Sequence, residues 1–137
     1  MSERLPITFE TVVSRLFSQF PDLRAIYDIE LHYMGDEPPL AYIVFGDVVI
    51  PFLESALRAK NLELIASICA FFEECAEGAK QDAKLGDLIA IEVGEWLTGT
   101  ISEEQIFPFL GPETKRVCRY VHGLATQRWK LKAEQHR

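Results

Sequence analysis

The stretch from Asn61 to Gly99 constrains this chain most, because it reads as two consecutive amphipathic helices joined by a short polar turn. Over residues 62–79, Leu64, Ile65, Ile68, Cys69, Phe71, Phe72, Cys75, Ala76 and Ala79 recur at helical spacing. Over residues 85–97, Leu85, Leu88, Ile89, Val93, Trp96 and Leu97 do the same. Each stripe is broader than one partner helix can cover, so further helices must pack on both. The spacing therefore predicts an all-α fold of six to seven helices, arranged as a compact antiparallel bundle or a short stack of helical pairs. At 137 residues it forms one domain, 1–137, with residues 132–137 frayed.

The flanking sequence supplies the remaining helices. Thr8 reads as an N-cap followed by Phe9, Val12, Val13, Leu16, Phe17 and Phe20, and Pro21-Asp22 opens a second helix carrying Leu23, Ile26, Tyr27, Leu31 and Met34 on one face. Gly35-Asp36-Glu37-Pro38-Pro39 is a stiff acidic loop. Residues 40–46 read as a short helix continued by a longer one to about 60. Ala41-Tyr42-Ile43-Val44-Phe45 also has the composition of a buried strand, and that alternative stays open. Asn61 caps the central helix, Ser102-Glu103-Glu104-Gln105 has capping-box spacing, and Gly111-Pro112 opens a last helix. That helix buries Val117, Tyr120, Val121, Leu124 and Leu131 and presents Lys115, Arg116, Arg119 and Lys130 on its other side.

Charge is unevenly placed. Residues 1–111 carry 19 acidic and 7 basic side chains, a balance of −12, whereas residues 112–137 carry 2 acidic and 7 basic, a balance of +5. An acidic body argues against nucleic acid, whose phosphates need a basic face, and suits a basic protein partner. Glu63, Glu73, Glu74, Glu77 and Asp82 form the densest acidic patch. Such a run is either a solvated helix face or a docking face for a cationic protein. No apolar run is long enough to span a bilayer and no secretory leader is evident, so a cytoplasmic protein without a membrane is expected.

Phosphate loops, dinucleotide fingerprints, zinc motifs and nucleophile elbows are all missing, so no enzyme, cofactor or metal is expected. Cys69, Cys75 and Cys118 lie in apolar patterns and read as buried thiols; Cys118 and His122, four apart, could supply half a metal site but lack identifiable companions. Three charges fall within apolar stripes: Glu30, Glu92 and Arg128. Carboxylates are rarely buried unpaired, so the preferred reading pairs one of them with Arg128 or a tyrosine such as Tyr27. The alternatives are an acid/base pair, or a groove that accepts a partner's basic side chain.

Several segments together carry a family resemblance: Phe20-Pro21-Asp22-Leu23, Tyr42-Ile43-Val44-Phe45-Gly46-Asp47, Phe71-Phe72-Glu73, Leu88-Ile89-Ala90-Ile91-Glu92-Val93-Gly94-Glu95-Trp96-Leu97 and Leu110-Gly111-Pro112-Glu113-Thr114. Over about residues 8–118 the chain resembles the small, acidic, mainly helical immunity proteins that bacteria encode beside polymorphic toxins. The resemblance implies a stoichiometric inhibitor that covers the active site of a cognate, basic toxin domain. Its contacts would be Glu63, Glu73, Glu74, Glu77 and Asp82, with Asp36 and Glu37 from the loop. A helical scaffold without a toxin partner is the runner-up, and an enzyme using Glu30 and Glu92 the third reading.

Overall fold

Helix α4, Leu62–Gly78, is the element on which the others converge. The computed structural model describes residues 5–31, 38–123, 131 and 134. Among these residues the fold is all-α, with seven helices and no strand. In chain order they are α1, Val12–Gln19; α2, Pro21–Glu30; α3, residues 41–58; α4; α5, residues 83–99; α6, Glu103–Ile106 closed by a 3-10 turn at Phe107–Phe109; and α7, Pro112–Val117. Helix α4 packs against α3, α5, the turn that closes α6, and α7. Its buried face is the predicted one: Ile65, Ile68, Cys69, Phe71, Phe72, Cys75 and Ala76. Phe71 meets Phe20 edge-on at 6.0 Å and Phe72 meets Phe45 at 6.3 Å, so α3 and the junction between α1 and α2 are stapled to it by aromatic contacts.

Residues 41–45 are helical, not a strand. Val44, Phe45, Val48 and Val49 are all essentially inaccessible. Only a helix brings positions i, i+1, i+4 and i+5 to one side. Helix α3 consists of Ala41–Val44, a π-helical turn at Phe45–Val49, and Ile50–Arg58. The wide turn has an evident cause. Pro51 donates no amide, and its ring would crowd the carbonyl of Asp47 in a regular helix. Ile50 instead bonds the Phe45 carbonyl five residues back. A second π-helical turn, Ile89–Gly94, lies in α5 between Ala83–Leu88 and Glu95–Gly99, and the two wide turns touch.

Several local expectations are corrected. Helix α1 begins at Val12, because Thr8 and Thr11 close a turn on each other and the Phe9 amide is taken by Asp82 at 2.8 Å. Asn61 caps α4 as expected, accepting from the Leu64 amide at 3.2 Å. The capping box at Ser102 does not form; the Ser102 amide bonds Thr100 instead, at 3.1 Å. Helix α7 ends at Val117 rather than running on. The Tyr120 amide reaches back to the Lys115 carbonyl at 2.8 Å and the Arg119 amide to Arg116 at 3.2 Å, a terminating motif that puts Arg119 at φ 52°. Val121 is consequently exposed, while Leu124 and residues 132–133 and 135–137 lie outside the described residues.

Candidate functional site

The acidic face predicted on α4 is divided among different tasks. Glu73 turns toward the start of α7 and accepts from the Glu113 amide at 3.0 Å, the Thr114 amide at 2.8 Å and the Thr114 hydroxyl at 2.9 Å. The first amides of a helix have no partner within it, and the positive end of its dipole favours an anion, so Glu73 serves as a cap delivered from another helix. Gly111 makes room for it, since a Cβ there would overlap the carboxylate. Asp82 caps α5 through the Lys84 and Leu85 amides and also holds the Phe9 amide. The bond from Phe9 does most to hold its carboxyl below the ordinary value, helped by the bonds from Leu85 and Lys84 and by the Lys84 charge. Glu74 faces Arg15 at 3.3 Å.

Only Glu63 and Glu77 of the five remain plainly exposed. Fourteen residues of α4 separate them, about 21 Å along the axis. That is more than twice the distance over which exposed charges interact at physiological salt. Three of the five carboxylates are thus engaged in bonds that hold the fold. Asp36 and Glu37 lie outside the described residues.

Of the charges expected to be buried, Glu30 is exposed. The helix ends there and Leu31, leaving the helical conformation at φ −117°, takes the buried position instead. Arg128, and with it the proposed pairing, lies outside the described residues. Glu92 is half-buried on the π-turn of α5. Its side chain lies over Gly46 on the π-turn of α3, where a Cβ would stand 3.0 Å from the Glu92 Oε2. Glycine at 46 is what lets a carboxylate lie between the two helices.

Burial raises the Glu92 carboxyl above its ordinary value, and the negative charges of Glu95 and Asp47 raise it further. Asp47 and Glu95 are both exposed. Ile91, 44 % exposed, adds an apolar contact on the same turn as Glu92. Among the described residues none of these three carboxylates has an ion-pair partner. Glu92 on one wide turn and Asp47 on the other, with Glu95 just past the first, are thus near enough for their charges to act on one another, and wide turns of this kind recur at functional sites. Sequence reasoning had Glu92 but missed its companions. Asp47 was visible as the sole charge in residues 40–53, and Glu95 follows Glu92 by three.

The cysteines are free and buried or half-buried; burial pushes the Cys69 and Cys118 thiols up to about 12 and moves Cys75 the same way. Because α7 stops at Val117, Cys118 and His122 do not share a helix face. His122 stacks on Phe107 with 4.0 Å between ring centroids and meets Glu104 at 3.1 Å, while the Cys118 thiol points at the Ile89 carbonyl, 3.7 Å away. Among the described residues no three His, Cys, Asp or Glu side chains cluster as metal ligands. Glu103, read from sequence only as a helix-start residue, is buried; it accepts from the Tyr120 hydroxyl at 2.6 Å and the Gly123 amide at 2.8 Å, and so ties down the segment after α7.

Residues 13–129 match the family described as a domain of unknown function, DUF7674, and the chain belongs to that family. No curated protein and no solved structure matches it. Among the described residues no helix is long and apolar enough to cross a membrane.

Proposed function

We propose that this protein acts by binding, as a non-catalytic inhibitor of the immunity-protein kind that covers the active site of a cognate, basic toxin domain in the cytoplasm. The observation that supports this reading is the convergence of Asp47, Glu92 and Glu95 without a cation among the described residues. Like charges held together raise the energy of the free protein. An inserted lysine or arginine relieves that repulsion and gains a charge-assisted hydrogen bond in a partly desolvated setting. Ile91 beside them excludes water from such a contact. Of the two carboxylates an acid/base mechanism would use, only Glu92 stands in a desolvated place, since Glu30 is exposed.

The test is functional first. Co-expression with the toxin encoded beside this gene should restore growth, and the two proteins should co-purify at a 1:1 ratio. Asp47→Lys combined with Glu95→Lys puts repulsive charge at the contact and should slow association about tenfold in low salt, with a much smaller difference in high salt. Rescue by the double variant at the wild-type level, with unchanged association, would remove this site from the interface. Binding without growth rescue would make the protein a scaffold.

A further inference from the structure

A cleft of about 820 Å³ opens where the end of α4, the outer side of α5 and the end of α7 meet. Its wall carries Lys80, Arg116 and Arg119 against a single carboxylate, Asp87, in a chain whose net charge is −7. Glu113 fixes two of the cations side by side, holding Lys80 Nζ at 3.2 Å and Arg116 Nε at 2.9 Å. Arg116 spends its Nε on that bond and keeps its two terminal nitrogens for another acceptor. Arg119 has no ion pair among the described residues. Its backbone stands at φ 52°, a conformation for which glycine is the favoured residue at a helix end. An arginine there is costly to the backbone, and the residue lines the cleft.

We propose that this cleft binds the phosphoryl group of a small metabolite of about nucleotide size. Planar guanidinium groups match the oxygens of a phosphoryl group two at a time, and an ammonium adds a point charge beside them. With Glu113 counted, the cleft retains one positive charge in a chain of net charge −7, so it is locally favourable to an anion. The volume falls within the range usual for small-molecule sites. The cleft shares no lining residue with Asp47, Glu92 and Glu95, although Ala90 on its wall belongs to the same π-turn as Glu92.

Helix α3 supplies an internal control. Lys60 stands at φ 55°, ending that helix by the same motif, with the Asn61 amide bonded to the Ala56 carbonyl at 3.0 Å. It does not line this cleft. Calorimetric titration of the full chain with adenosine monophosphate, inorganic phosphate and adenosine, at matched ionic strength in chloride, tests the proposal. Adenosine monophosphate and phosphate should bind and adenosine should not. Arg119→Gly, which the backbone favours, should fold and weaken binding about tenfold, Arg119→Lys should restore part of it, and Lys60→Gly should leave it unchanged. Saturable binding of adenosine as tight as that of its monophosphate would overturn the proposal. So would heats no different from dilution into chloride, or equal affinities for Arg119→Gly and the wild type.

Discussion

Glu73 and Glu92 sit on neighbouring helices, both half-buried, and differ in what meets their carboxylates. Glu73 faces three donors at the start of α7. Glu92 faces Gly46 and two further negative charges. In the first case the carboxylate completes the fold, because α7 is short and its first amides need an acceptor. In the second the fold gains nothing from the charge, and the ionised form is disfavoured. Acidic residues that look alike in a sequence thus separate into those that hold the structure and those left for a partner, according to which donors the tertiary fold brings within reach.

The largest effect expected from this contrast is structural. Glu73→Ala strips three hydrogen bonds to a charged acceptor from the start of α7 and should cost about 2–3 kcal/mol. For a domain of this size that is a fall of about 5–10 °C in melting temperature. Gly111→Ala should act in the same direction by displacing the Glu73 carboxylate from its seat. If both variants melt like the wild type, Glu73 is a solvated residue after all and the comparison fails.

Asp82 should show a smaller effect with a pH signature. Its folded carboxyl titrates below the ordinary 3.8, so the folded state favours the ionised form. The resulting stability is fully present above that ordinary value and is lost as pH falls through the folded one. Melting curves of Asp82→Ala and the wild type should therefore differ most at neutral pH and converge in strong acid. Glu92 has the opposite sign. Its folded carboxyl titrates above the ordinary 4.5, so ionisation destabilises the fold as pH rises past that value. Glu92→Gln should raise the melting temperature at pH 7 by less than about 3 °C, and the gain should vanish below the ordinary carboxyl range. A fall at pH 7 would mean that Glu92 has a stabilising partner.

The fold was legible where burial is periodic. Seven of the nine residues in the apolar stripe of α4 are buried in the core, Leu64 and Ala79 at its margins being half-buried, and Asn61 caps the helix as its side chain and position require. What was not legible depended on long-range donors. Nothing local distinguishes Glu73 from Glu74, yet one caps a helix 40 residues away and the other faces Arg15. The helix wheel placed Glu92 correctly among apolar neighbours but put Glu30 in the core, where the structure has it exposed at the end of α2 and Leu31 buried beyond it. Helical spacing also put Cys118 and His122 on one face of a helix that ends at Val117. Asp47 escaped notice because it acts on Glu92 from a different helix, a proximity that no spacing within one helix reveals.

The smallest expected effect sharpens the comparison most. Glu77 is exposed on α4, within the patch that the sequence nominated for docking, whereas Glu95 is exposed beside Glu92. Both are surface residues, so charge reversal at either should change stability by no more than about 0.5 kcal/mol. Folding therefore cannot confound a comparison of binding. If the partner docks at the π-turns, Glu95→Lys acts at contact distance and should slow association about tenfold. Glu77→Lys acts only through the screened field of the whole body and should slow it less than about threefold at 0.15 M salt. Raising salt to about 1 M shortens the screening length to about 3 Å, which should erase the Glu77 effect and leave part of the Glu95 effect, since a repulsive charge inside a desolvated contact is poorly screened. The reverse ranking, with Glu77→Lys the more damaging at both salt concentrations, would move the interface to α4 and leave the paired π-turns as a strained feature of the free protein.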